Sequence, residues 1–351
     1  MLVESPSRTS AEPAKSERSP RRRNSVRALG LLAAVGVLLL VCVLSIMIGA
    51  KPVPIGDVWH GLFHDSGVGN DVVIHDVRLP RTLLGLLVGL ALGLAGAVMQ
   101  GLTRNPLAEP GLLGVNAGAA AAVVSAIAFL GVSDVRDYVW FAFAGAAVVS
   151  VVVYVLGGSR GATPVRLALA GTAATAALYG FVNAVQLLNS AALDRLRFWT
   201  VGSLASADME TVGRVAPFIL VGAVLALTIA RPLNAMEMGD DSARALGVGI
   251  NRTRITAMLA VTLLCGAATA ACGPIVFLGL MVPYMVRAIT GPDMRWILPY
   301  AAVLAPVLLL GSDVLGRVVV RPAELQVGIV TALVGGPVFI RLVRRKRMAQ
   351  L

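Results

Sequence analysis

Long apolar runs, each bounded by a short basic cluster, constrain this chain more than any other feature. The first run occupies residues 29–50, and similar runs recur as far as residue 343. A helix of about 20 apolar residues matches the thickness of the hydrocarbon core of a bilayer. Only helices and closed barrels satisfy every backbone group at that depth. A barrel would show segments of about ten residues alternating apolar and polar, and these runs do not alternate. Composition agrees, with 57% hydrophobic and 14% charged residues and a mean hydropathy of +0.82. An ordinary soluble domain carries about 25% charged residues, so a soluble enzyme is excluded. Disorder over most of the chain is excluded by the same apolar content. The three cysteines, Cys42, Cys265 and Cys272, all lie inside apolar runs and do not make a disulfide scaffold.

The runs predict an all-α polytopic protein of ten spans, at 29–50, 82–102, 112–130, 138–157, 165–188, 212–230, 255–272, 275–289, 297–316 and 326–343. The eighth is short and carries Pro283, which predicts a tilted or broken helix. Residues 1–28, rich in Ser, Pro, Arg and Glu, read as a disordered basic tail. Residues 29–345 form the membrane domain, and 346–351 are a C-terminal tail. The first apolar run is longer than the core of a signal peptide, so it reads as a retained span with a cytoplasmic N-terminus. Ten spans then put both termini in the cytoplasm. This orientation places 21 of the 30 Lys and Arg on inner segments and 9 on outer ones, as the positive-inside rule requires. The net charge of +11 is therefore a topology signal and not a nucleic-acid footprint.

Polar residues against this background mark candidate sites. Gly85, Gly89 and Gly93 fall four apart, with Gly96 beyond, a spacing that lets helix backbones approach closely. Asn105-Pro106 breaks the chain after the second span. Asp313 lies within a span, where an acid is a functional candidate by default. It also has Arg317 one turn away as an ion-pair partner, and this structural pair is the preferred reading. Asn183 and Gln186 share a face of the fifth span, where they either line a pathway or bond to a neighbouring helix. His60 and His64 have the spacing of helical zinc ligands but lack a tight third ligand, so no metal site is expected. The inner loop 231–254 sets apolar Met238 and Leu246 beside charges. It reads equally as a docking knob or as an amphipathic connector. Asp240, Asp241 and Ser242 are suited to cap a short helix there, and Gly247 to end it. The three lysines, Lys15, Lys51 and Lys346, lie in no Gly-x-x-x-x-Gly-Lys-Ser/Thr loop, so the phosphate cradle of an ATPase is absent.

Five ordered blocks carry a specific resemblance. The first runs from Arg78-Leu79-Pro80-Arg81 through Asn105-Pro106-Leu107-Ala108-Glu109-Pro110-Gly111 to Gly118. The second is Phe198-Trp199-Thr200-Val201-Gly202-Ser203-Leu204. The third extends from Leu233-Asn234 to Leu246-Gly247-Val248. The fourth is Ala271-Cys272-Gly273-Pro274 through Pro283, and the fifth runs from Pro322-Ala323-Glu324 to Gly336-Pro337. From about residue 29 to 345 the chain resembles the FecCD-type permeases, membrane subunits of ATP-binding-cassette (ABC) importers for iron-siderophores, haem and cobalamin.

The resemblance implies a type II ABC importer bundle in the bacterial cell membrane, paired with a second copy or a paralogue. It implies ATPase subunits docking on Leu233, Asn234, Gly239, Asp240, Ala243, Leu246, Gly247 and Val248, and an extracytoplasmic binding protein docking on Arg78, Arg81 and Arg317. For Arg317, pairing with Asp313 is at least as good a reading. The pathway and gate are implied at Asn183, Gln186, Trp199 and Ser203, within and after the fifth span. The chain itself would hold no cofactor, ATP being used by the partner subunits. Iron-siderophore is the expected cargo, with haem or cobalamin as alternatives. An ion-coupled secondary transporter is the competing class, which a proton relay at Asp313 would serve. A membrane-embedded enzyme is disfavoured, because the spans contain no His.

Overall fold

A computed structural model of the chain describes residues 20–49, 53–63, 69–132, 135–157, 164–321 and 323–345. The described residues are helical almost throughout, with no strand. Seven helices are long and apolar enough to cross a membrane, and three shorter apolar ones complete the set of ten. We number the α-helices of six residues or more in chain order. The first half holds α1 (Pro20–Met47), α2 (Ile55–Phe63), α3 (Leu79–Thr103), α4 (Val115–Leu130), α5 (Val135–Leu156), α6 (Pro164–Leu188) and α7 (Ser190–Trp199). The second half holds α8 (Met209–Thr228), α9 (Ala230–Glu237), α10 (Asp240–Ala245), α11 (Ile250–Cys272), α12 (Leu278–Thr290), α13 (Met294–Val319) and α14 (Val327–Arg345). Helices α2, α7, α9 and α10 are short connectors. The other ten match the expected spans one for one.

The boundaries moved for physical reasons. Helix α1 starts at Pro20, inside the segment expected to be disordered. Arg27 holds it there: its guanidinium donates to the Thr290 carbonyl, and its own carbonyl accepts from the Tyr300 hydroxyl at 2.6 Å. The Arg27 guanidinium also lies 5.9 Å from the centre of the Trp296 ring, a cation–π distance. Residues 1–19 and 346–351 lie outside the described residues. Helix α3 ends at Arg104 in the left-handed conformation, φ 52°. The Asn105 side chain then accepts from the Leu107 N–H at 2.9 Å, a local turn that replaces the helical bonds Pro106 forbids.

Of the three shorter apolar helices, α12 is too short to cross alone. At about 1.5 Å per residue, the 13 residues of α12 reach only part of the way through the core. The extended segment 273–277 completes that crossing. Irregular backbone at such depth survives only where it is buried in protein or lines a cavity, and Cys272, Gly273, Pro274 and Ile275 are buried.

Helix α3 is the axis of the bundle, largely buried against α13, α11 and α12. Its glycine stripe explains how. A Cβ on Gly89 would lie 2.5 Å from Pro306 Cα, one on Gly93 2.5 Å from the Ala301 carbonyl oxygen, and one on Gly96 would collide with the Gly279 carbonyl. The stripe is therefore the groove into which α13 and the start of α12 settle. Gly96→Leu should split α12 from α3. Overpacking of this kind costs about 1–3 kcal/mol or more. The expected readout is loss of monodisperse protein on size exclusion in detergent, and unchanged elution would show that the contact is dispensable.

Candidate functional site

The inner loop is built of two short helices tied to the bundle at four points. Leu233 is fully buried. The Asn234 amide donates to Asp293 Oδ1 at 2.7 Å, and its oxygen accepts from the Met294 N–H at 2.7 Å. Glu237 pairs with Arg287 of α12 at 2.9 Å. Asp240 pairs with Arg254 of α11 at 2.8 Å and with Arg104 at the end of α3. Burial pushes the Asp240 carboxyl up, but the Arg104 and Arg254 guanidiniums outweigh it and hold the group below the usual carboxylate range.

Asp240 is not the cap expected of it. Gly239, at φ 104°, takes that position, because the Asp240 carboxylate is engaged by the two arginines. The other end follows expectation: Gly247 (φ 79°) donates to the Arg244 carbonyl at 2.9 Å and Val248 to the Ala243 carbonyl at 3.0 Å. This is the reciprocal pair of a Schellman stop. Ala243 is buried while Met238 and Leu246 are 61% and 63% exposed. The loop is thus a rigid two-helix elbow presenting an apolar knob.

Beside it, Arg295 lowers the Asp293 carboxyl to about 2 by a bidentate pairing with it, helped by the Asn234 amide. A depressed carboxyl stabilises above its unfolded value of about 3.9 and loses that contribution as pH falls through the folded value. Hydrogen exchange in the first turn of α13 should therefore stay level from neutral pH to about 4 and rise only below it. A rise beginning near pH 6 would contradict the pairing.

At the opposite end the outer arginines turn inward. Arg78, Arg81 and Arg317 are 5%, 5% and 2% exposed, and Asp313 is fully buried. Arg81 clamps Asp313 at 2.7 and 3.0 Å and reaches Glu324 at 2.7 Å. Arg317 pairs at 2.8 Å with Asp313 Oδ2, which also accepts from Arg81 Nε, and donates to the Ser45 and Ile48 carbonyls, each at 2.9 Å. Arg78 donates to the Ile46 and Met47 carbonyls. The last carbonyls of a helix lack partners and carry partial negative charge, and the end of α1 recruits two of the three cations for this purpose. Arg78, Arg81 and Arg317, the arginines expected to dock a binding protein, are thus buried in the single chain. Asp313 and Arg317 do lie in ion-pair contact, but Asp313 serves Arg81 as well.

The residues expected to line the pathway and gate fall in two places. Trp199 and Ser203 line a cavity of about 420 Å3 with Tyr138, Asp208 and Gln326. The segment they sit on is pinned: the Ser203 N–H donates to the Cys272 carbonyl at 2.8 Å and the Gly328 N–H to the Gly202 carbonyl at 3.2 Å. A Cβ on Gly273 would strike the Trp199 carbonyl, and one on Gly328 the Val201 carbonyl. Three backbones therefore meet without side chains between them. Asn183 and Gln186 do not join this cavity. Asn183 lies on the exposed face of α6, and Gln186 is half-buried.

A second cleft, of about 530 Å3, was not anticipated; it opens beside Asn116, Tyr179, Thr200, Val276 and Leu333. Asn116 accepts from the Thr269 hydroxyl at 2.9 Å. Glu109, partly buried, accepts from the Phe277 N–H at 3.3 Å, at a residue strained to φ 69°. Asn116 and Glu109 fall in the first block, Thr200 in the second, Val276 and Phe277 in the fourth and Leu333 in the fifth, while Tyr179 and Thr269 lie in none of them. Among the described residues no group of three His, Cys, Asp or Glu could hold a metal ion. His75 donates from Nε2 to the Gly61 carbonyl at 2.5 Å, and the side chains of His60 and His64 lie outside the described residues.

The sequence profile of the FecCD transport family matches residues 37–345. The chain belongs to this family. It is 47% identical over 327 residues to the ferric enterobactin transport system permease protein of Escherichia coli, covering 92% of this chain and 98% of that one. It is 39% identical over 329 residues to the Fe(3+)-citrate import system permease protein of Bacillus subtilis, covering 94% and 98%. The fold superposes on a metal-chelate type ABC transporter in an inward-facing conformation with a TM-score of 0.80, at 26% identity, over 91% of this chain and all of that one. In this FecCD permease the elbow and the pinned segment 199–203 stand at opposite ends of α12.

Proposed function

We propose that this FecCD permease is the membrane-spanning subunit of an ABC importer for iron-siderophore complexes in the bacterial cell membrane. The observation that carries the reading is its end-to-end similarity to the ferric enterobactin permease. ATPase subunits dock on the elbow formed by α9 and α10, through Met238 and Leu246. A binding protein delivers cargo to the outer mouth, where the arginine network surfaces at Glu324. The permease works beside a second copy or a paralogue, holds no cofactor, and leaves ATP to its partners.

The geometry suggests how force travels. Arg287 ties the inner end of α12 to the elbow, and the segment before α12 touches the gate at Trp199 and Gly202. A shift of the elbow moves α12 as a unit, and the gate backbone follows because no flexible side chain intervenes. Packed interfaces of this kind switch between discrete arrangements instead of stretching. A chelated iron is already coordinated, so the pathway needs hydrogen-bonding and apolar groups and no metal ligands of its own.

The test is reconstitution into proteoliposomes with a loaded ferric siderophore. Uphill accumulation should require the ATPase, ATP and the binding protein together. Accumulation by the permease alone, driven by a proton gradient, would overturn the reading in favour of a secondary transporter.

A further inference from the structure

At the inner end of the bundle, next to the elbow, a groove of about 510 Å3 runs between α8 and α13. Its walls are Leu227, Thr228, Leu298 and Pro299, and its inner end is closed by Arg231 and Arg295. Leu220, Val224 and Leu227 are exposed and share one stripe of α8, at spacings of four and three residues. The stripe continues at the next turn to Arg231, which is itself exposed. In a protein of ten spans an exposed apolar stripe of this kind faces acyl chains.

The charges that border the groove are the guanidiniums of Arg231 and Arg295 and the carboxylate of Asp293, which pairs with Arg295. Their sum is one positive charge at the depth where a leaflet's phosphates lie. The Arg231 guanidinium fork matches phosphate oxygens bidentately, while Arg295, whose Nε and Nη2 pair with Asp293, has Nη1 left to donate. Basic pockets between helices on the cytoplasmic side are suited to anionic head groups.

We infer that this groove is a binding site for one anionic phospholipid of the inner leaflet, its phosphodiester held by Arg231 and Arg295 and one acyl chain laid along Leu227 and Pro299. The occupant touches both the first turn of α13 and the start of α9. It is therefore placed to brace the elbow against the bundle from the membrane side.

The test uses the full chain in vesicles of equimolar phosphatidylglycerol and phosphatidylethanolamine, extracted gently and weighed by native mass spectrometry. Wild type should retain one phosphatidylglycerol in preference to phosphatidylethanolamine. At about 1 kcal/mol per basic residue, retention should fall about fivefold in Arg231→Gln and about thirtyfold in Arg231→Gln/Arg295→Gln. Thr228→Trp, which fills the groove without changing charge, should also lower it. If the double variant does not fold, Arg231→Gln and Thr228→Trp decide. Undiminished retention in both overturns the site. So does full displacement by glycerol phosphate, which would mean that the acyl groove contributes nothing. Disulfide crosslinking of two copies through Thr228→Cys would assign the groove to a second chain and overturn the lipid.

Discussion

Asp313→Ala should unfold the outer end of the bundle. The substitution leaves Arg317 without a carboxylate and Arg81 with only Glu324, in a place where both guanidiniums are nearly inaccessible to water. Breaking a buried pair by removing one partner costs about 3–5 kcal/mol, because the remaining charge loses its counter-ion but not its burial. The loss spreads, since Arg317 also closes the end of α1 through the Ser45 and Ile48 carbonyls. The expected result is a large fall in the thermal midpoint of purified protein in detergent, with little folded material recovered at growth temperature. Asp313→Asn should fall between, keeping acceptors but not charge. A variant that melts within a degree or two of wild type would show that the network is ornamental. The same experiment bears on the competing class: a proton relay at Asp313 would lose coupling without losing stability.

Leu246→Asp combined with Met238→Asp should abolish ATP-driven uptake while leaving the permease folded. Both side chains are mostly exposed in the single chain, so the fold loses little. In the proposed assembly they are the apolar centre of the ATPase contact, and hot-spot residues are worth about 2 kcal/mol or more each. Two buried, unpaired carboxylates in that contact should weaken ATPase capture at least a hundredfold, on the order of the sum of two such residues. Co-purification and uptake should fail together. Gly247→Trp should act more mildly through the backbone, because Gly247 sits at φ 79°, where any L side chain is strained. Intact assembly with normal uptake in the double variant would remove the elbow from the coupling role.

Some of this architecture needed no coordinates. Ten crossings, their order and their orientation follow from apolar length and the distribution of arginines, because the bilayer leaves the backbone no other way to satisfy itself. The glycine stripe of α3 was likewise readable, since small residues four apart have few other uses in a span. The ends of the elbow were partly readable: Gly247 stops α10 as its local chemistry predicts, while Asp240 does not cap it.

The function of the outer arginines was decided elsewhere. Their exposure was expected from their place at span ends, yet three of them are buried. The deciding facts were the open carbonyls of α1 and the carboxylates of Asp313 and Glu324, which are remote in sequence from Arg78 and Arg81. The junction of three backbones was hidden for the same reason. Trp199, Gly202, Gly273 and Gly328 lie on segments far apart in the chain, and no local pattern predicts that their backbones meet. What a bilayer imposes acts on each segment separately and so can be read along the chain. Which charge finds which partner, and which backbones touch, depends on how helices distant in sequence pack, and only the assembled bundle settles it.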